Sequence, residues 1–93
     1  MSTELKIDFL RILKGKFVMI SAYILVNSRT GSEDEVYRAI TTIENIKEGF
    51  KVFGAYDIIV RVEEKDSNSL QEFITRKIRQ IENVISTLTL IIL

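Results

Sequence analysis

Apolar side chains occupy both alternating sets of positions from Phe17 to Val26, a run rich in β-branched and aromatic residues. Such a run predicts a strand covered on both faces. Asn27 to Gly31 is polar and reads as a turn. The period then changes: Val36, Ile40 and Ile43 recur at i, i+4, i+7, one apolar stripe of a helix opened by Ser32. Ser32 and Glu35 have capping-box spacing, and Glu33 and Asp34 suit the positive end of the helix dipole. Asn45, tolerant of the left-handed conformation, is expected to end this helix. Ile46 to Phe53 predicts a second strand and Gly54-Ala55-Tyr56 a tight connection. Asp57 to Glu64 predicts a third strand, with Ile58, Val60 and Val62 on one face and Ile59, Arg61 and Glu63 on the other. After the cap-rich Asp66 to Ser69, a second helix turns Leu70, Phe73, Ile74, Ile78 and Ile81 inward, and Val84 to Ile92 closes the chain as a fourth strand.

The pattern repeats with an offset of 38 residues. Ile43-Glu44-Asn45-Ile46 matches Ile81-Glu82-Asn83-Val84, and Val36, Ile40 and Ile43 fall on Ile74, Ile78 and Ile81. Ile20, Ala22 and Ile24 fall on Ile58, Val60 and Val62, while Phe50 and Val52 fall on Leu88 and Leu90. Two strand–helix–strand halves make an α+β, ferredoxin-like βαββαβ fold. Right-handed crossovers place both helices on one face of a four-stranded antiparallel sheet of order 4-1-3-2. Simple alternation assigns Ile20, Ala22, Ile24, Phe50, Val52, Ile58, Val60, Val62, Leu88 and Leu90 to the helix-covered face. It leaves Tyr23, Leu25, Phe53, Ile59, Ile85 and Ile91 on the other, mixed with Arg61, Glu63, Lys51, Thr87 and Thr89. That second face is too apolar for a solvated monomer surface and suits a face-to-face dimer. The candidate dimer contacts are Tyr23, Leu25, Phe53, Ile59, Arg61, Ile85 and Ile91.

Residues 1–18 precede the repeat as an extension. Leu5, Phe9, Ile12 and Leu13 have helical spacing, with Thr3 to cap and Gly15 to stop, while Leu5, Ile7 and Phe9 also alternate as a strand would. Met19 offers a possible start for a minimal domain of residues 19–93.

Composition narrows the function. With 93 residues the chain is one domain, and 46% hydrophobic residues is generous for that size. Thirteen basic residues balance thirteen acidic ones, without the basic stripe that nucleic-acid binding needs. No cysteine or histidine is present, which removes disulfides, thiolate sites, the commonest metal ligand and the usual proton shuttle. Glu33, Asp34 and Glu35 are consecutive and diverge around a helix, so they make a helix start rather than a metal site. Arg76, Lys77 and Arg79 suit the second helix's carboxy-terminal dipole. No phosphate loop and no nucleophile–base pair is visible. No run reaches a membrane span or reads as a signal peptide. The expectation is a cytoplasmic, non-enzymatic protein without cofactor, metal or direct nucleic-acid contact.

The segments Ala22 to Ile40, Val52 to Asp66 and Ile74 to Leu93, with Gly54-Ala55-Tyr56-Asp57 at the hinge and Thr87-Leu88-Thr89 in the last strand, resemble the regulatory domain of Lrp/AsnC transcription regulators, the RAM module. The resemblance covers residues 19–93. It implies a module without the helix-turn-helix of full-length regulators, dimerising through its sheets as an α/β barrel and assembling further into rings of dimers. It also implies a small effector, usually an amino acid, in clefts between dimers lined by the hinge and the last strand. Carried over, the effector residues are Gly54, Ala55, Tyr56, Asp57, Thr87 and Thr89. Asp57 would accept from the ammonium, backbone N–H groups near Gly54 and a threonine hydroxyl would donate to the carboxylate, and Tyr56 would wall the pocket. Each has a structural alternative: a positive φ at Gly54, packing at Tyr56, an Asx turn at Asp57, strand propensity at the threonines. Three functions follow: an effector-binding module acting on itself or on a full-length Lrp/AsnC regulator, an interaction module without effector, and a small dimeric α/β-barrel enzyme.

Overall fold

The computed structural model describes residues 19–93; the expectations for residues 1–18 lie outside them. The chain runs β1 (Ile20–Ser28), α1 (Glu33–Thr41), β2 (Ile46–Lys51), β3 (Ile58–Glu64), α2 (Ser67–Phe73) continued by a π-helical turn (Ile74–Ile78), and β4 (Val84–Ile91). The four strands form one antiparallel sheet ordered β2-β3-β1-β4, the expected ferredoxin-like arrangement. Both helices pack on one face. The core between them and the sheet holds Ala22, Ile24, Val26, Ile58, Val60 and Val62 from the central strands, Val36 and Ile40 from α1, and Leu70, Phe73, Ile74 and Ile78 from α2 and its π turn. Ile24 and Ile58 are fully buried, and each such side chain contributes about 1.5–3 kcal/mol. Among the described residues no helix is long and apolar enough to cross a membrane.

The internal repeat survives in three dimensions. Each half ends its helix region alike, with Ile46 N–H donating to the Ile43 carbonyl at 3.1 Å and Val84 N–H to the Ile81 carbonyl at 3.2 Å. Each second strand then carries a bulge at the same place. Lys47 is skipped where Ile46 pairs with Val62 and Glu48 with Arg61. Ile85 is skipped where Val84 pairs with Ser28 and Ser86 with Asn27. An extra residue reverses which face every later side chain takes.

The bulges overturn the face assignments for β2 and β4. Phe50, Leu88 and Leu90, expected under the helices, register with Ile59, Leu25 and Tyr23 on the uncovered face. Val52 is also exposed. Thr87, Thr89 and Ile91, expected on the uncovered face, register with Val26, Ile24 and Ala22 on the helix side. Lys51 likewise turns to the helix side, where its Nζ meets Asp34 Oδ1 at 2.6 Å and lies 5.7 Å from the Tyr37 ring centre. Ile85 is the bulge residue itself, and Phe53 lies beyond β2, fully exposed.

Helix boundaries differ in two places. Helix α1 ends at Thr41, four residues before Asn45, whose amide instead bonds the Glu64 carboxylate. The left-handed residue is its repeat-mate Asn83, at φ 75°. At the start of α1 the Ser32 side chain makes no cap bond; Glu33 accepts from Gly31 N–H at 2.9 Å instead, with Gly31 at φ 91°. Asp66 caps α2 as expected, its Oδ1 accepting from Ser69 N–H at 2.8 Å.

Candidate functional site

The hinge joins β2 to β3 at one end of the sheet. Its backbone is braced by Val52 N–H to the Asp57 carbonyl at 2.8 Å and Asp57 N–H to the Val26 carbonyl at 3.0 Å. The Asp57 side chain is held as well: its Oδ2 accepts from the Ser28 N–H at 2.8 Å and from the Ser28 hydroxyl at 3.2 Å. Ser28 is the buried polar residue at the end of β1, so this carboxylate satisfies donors that water reaches poorly. The structural use of Asp57 is therefore a tie to β1 rather than a local Asx turn. Gly54 and Ala55 are exposed and Tyr56 half-buried. Gly54 does not take a positive φ, and a Cβ there would touch nothing within 4 Å. Neither backbone conformation nor packing within the protomer calls for glycine at this position. Gly49 is the opposite case: an added Cβ would come 2.7 Å from Thr41 Cγ2, and its carbonyl accepts from the Tyr37 hydroxyl at 3.1 Å.

Thr87 and Thr89 lie away from the hinge loop, in a groove of about 290 Å³ between β4 and the helix that leads into the π turn. Ser67, Leu70, Gln71, Ile74, Thr75, Arg79 and Ile91 complete its walls, and no hinge residue is among them. One protomer thus presents the candidate effector residues as two separate groups. Sequence reasoning missed Thr75 and Arg79 as site residues, because Arg79 was accounted for by the helix dipole. Their spacing of four, facing a strand with threonines at alternate positions, was the available signal.

The uncovered sheet face is a third feature. Tyr23, Leu25 and Ile59 are half-buried there, and Phe50, Leu88 and Leu90 are 52%, 43% and 50% exposed. Arg61 sits among them, its Nε 2.6 Å from Glu48 and its Nη1 2.9 Å from Glu63. Those hydrogen bonds, Glu48 first, raise the guanidinium's pKa further above its ordinary value. Of the expected dimer contacts, Tyr23, Leu25, Ile59 and Arg61 share this face; Ile91 does not, and Ile85 and Phe53 lie at its margins.

A ferredoxin-like sheet with one helix-covered face, one apolar face and a small polar groove beside its second helix defines a small α+β domain, a class that hosts many functions. The chain belongs to the Lrp/AsnC ligand binding domain family, whose model matches residues 21–93. Among curated proteins it is 47% identical over 58 residues to a homocitrate synthase of Sulfolobus acidocaldarius, spanning 62% of this chain and only 12% of that enzyme. Among solved structures it is similar to the hypothetical protein PHS023 of Pyrococcus horikoshii, with 37% identity, a TM-score of 0.75, and 81% of this chain and 90% of the other covered. The fold also matches the transcriptional regulator NMB0573 of Neisseria meningitidis, solved as a complex with L-Met, at 17% identity and a TM-score of 0.72, over 80% of this chain and 49% of that one.

Proposed function

We propose that this chain is a non-catalytic, cytoplasmic regulatory module that binds an amino acid between assembled protomers. The observation that carries the reading is the family match across residues 21–93 to a ligand-binding domain. The L-Met complex of the Neisseria regulator supports an amino acid as effector class. In this reading the hinge of one protomer, with Gly54, Ala55, Tyr56 and Asp57, meets Thr87 and Thr89 of another. Asp57 Oδ1, which is not engaged by Ser28, receives the effector's ammonium. The uncovered apolar face pairs protomers into a dimer or a ring of dimers, and the same face would admit a full-length Lrp/AsnC regulator.

A second reading rests on the homocitrate synthase match. There the module acts on a biosynthetic enzyme instead of a transcription regulator, with the same effector site. A thermal-unfolding screen against the twenty amino acids tests the effector itself. Ligand at 100 times its Kd adds about 2.7 kcal/mol, which raises the Tm of a domain this size by roughly 10–20 °C. A rise for one or a few amino acids, abolished in Gly54→Val, supports the module; no rise with any of them in a folded, assembled protein refutes an amino-acid effector. Co-purification with homocitrate synthase, or with a helix-turn-helix regulator, separates the two partners.

A further inference from the structure

The groove beside β4 has a chemistry of its own. Its lining includes the buried Leu70 and Ile74 and the more exposed Ile91, which give it an aliphatic part. The same lining carries four hydroxyl-bearing residues, Ser67, Thr75, Thr87 and Thr89, and the amide-bearing Gln71. Arg79 is the single charged side chain in the lining, and no carboxylate faces it. Among the described residues Arg79 makes no ion pair, whereas neighbouring Arg76 is paired with Glu72.

The backbone under Arg79 is also special. Ile74–Ile78 winds as a π turn closed by Arg79 N–H to the Ile74 carbonyl at 2.9 Å. Such single turns cost helix regularity and recur at functional sites. Here the turn delivers Thr75 and Arg79 to the side of the helix that overlooks β4, while the bulge at Ile85 rotates Thr87 and Thr89 to face them. Two departures from regular structure converge on one groove.

We infer that this groove is a carboxylate site for a short aliphatic acid. Arg79 pairs with the carboxylate, the Thr87 and Thr89 hydroxyls bond its second polar oxygen, and Leu70, Ile74 and Ile91 take its hydrocarbon end. The inference goes beyond the amino-acid reading. No acidic side chain lines the groove to receive an ammonium, so 2-oxo and 2-hydroxy acids satisfy this lining without help from a second protomer. Where the amino-acid reading holds, the same groove takes the effector's carboxylate end.

The test is titration of the ¹⁵N-labelled full chain with 2-oxoisovalerate, against sodium chloride at matched ionic strength and against isobutylamine, which has the hydrocarbon end but no carboxylate. The expected result is saturable amide shifts at Thr75, Arg79, Thr87 and Thr89 with the oxo acid and none with the amine. Arg79→Met keeps the aliphatic stem and removes the charge, and should weaken binding at least tenfold. Thr89→Val, isosteric and without the hydroxyl, should weaken it less. No saturable shift up to about 10 mM, ten times a millimolar Kd, overturns the site. So does binding that is unchanged in Arg79→Met. Oxo-acid binding together with a blank amino-acid screen refutes the proposed effector and leaves the groove standing; the reverse pattern refutes the groove alone.

Discussion

Replacing Asp57 by alanine should destabilise the fold, quite apart from any ligand. The carboxylate accepts two hydrogen bonds from Ser28, at 2.8 Å from its N–H and 3.2 Å from its hydroxyl, and Ser28 is only 6% exposed. The backbone bonds of Asp57 to Val26 and Val52 do not depend on the side chain and survive the change. What is lost is the partner of a buried N–H, worth about 1–3 kcal/mol when left unsatisfied. At about 4–8 °C per kcal/mol for a domain of this size, the expected fall in Tm is roughly 4–24 °C. Asp57→Asn keeps an acceptor oxygen of the same shape and should lose less than half as much, because only the charge assistance is removed. Ser28→Ala removes the weaker bond alone and should cost less again. Thermal and urea unfolding at pH 7, followed by circular dichroism on all three variants, would measure this. An Asp57→Ala protein melting within a degree or so of the parent would refute the tie. The order Ala, Asn, parent matters for function too: effector loss in Asp57→Ala alone says nothing about ligand contact, whereas loss in a stably folded Asp57→Asn does.

Gly49→Ala should cost about 1–3 kcal/mol by urea denaturation, because the new Cβ would lie 2.7 Å from Thr41 Cγ2, and Thr41 is held by its own hydroxyl bond to the Tyr37 carbonyl. Gly54→Ala, with open space and no positive φ, should stay within about 0.5 kcal/mol of the parent in the same assay; a larger loss would show that the hinge is packed in a way one protomer does not reveal. Leu88→Asp places a charge on the uncovered face beside Leu25 and should yield a folded monomer by analytical ultracentrifugation, while Ile85→Asp at the bulge should leave assembly largely intact; equal effects would move the interface. Asp66 is depressed below its ordinary value first by the Ser69 N–H it caps, so its contribution is fully present above the unfolded value of about 3.9 and is lost as pH falls through the lower folded value. Asp66→Asn, which still caps, should flatten stability against pH across that acid window and nowhere else.

Alternation, helical period and the 38-residue repeat were enough to establish the elements, their order in the sheet and most of the core. Ala22, Ile24, Ile58, Val60 and Val62 are buried where alternation put them, because β1 and β3 are regular and central and pack against both helices. The repeat was legible for the same reason: each half buries one strand and one helix stripe, and the two demand the same residue types. The motifs Gly54 to Asp57 and Thr87 to Thr89 were legible as a family resemblance, and the family match agrees with it.

Which way β2 and β4 face was decided by the tertiary structure. In β4 both alternating sets are substantially apolar, Val84, Leu88 and Leu90 against Ile85 and Ile91, so hydrophobicity did not discriminate between them. A bulge has no residue signature as firm as a turn's, and one inserted residue inverts the whole remainder of a strand. The bulges at Lys47 and Ile85 sent Phe50, Leu88 and Leu90 to the uncovered face and Thr87 and Thr89 into the groove. The groove itself needed a second non-local fact, the π turn that brings Arg79 over β4. Local patterns identify which residues want burial; only the pairing of strands with helices determines which face provides it.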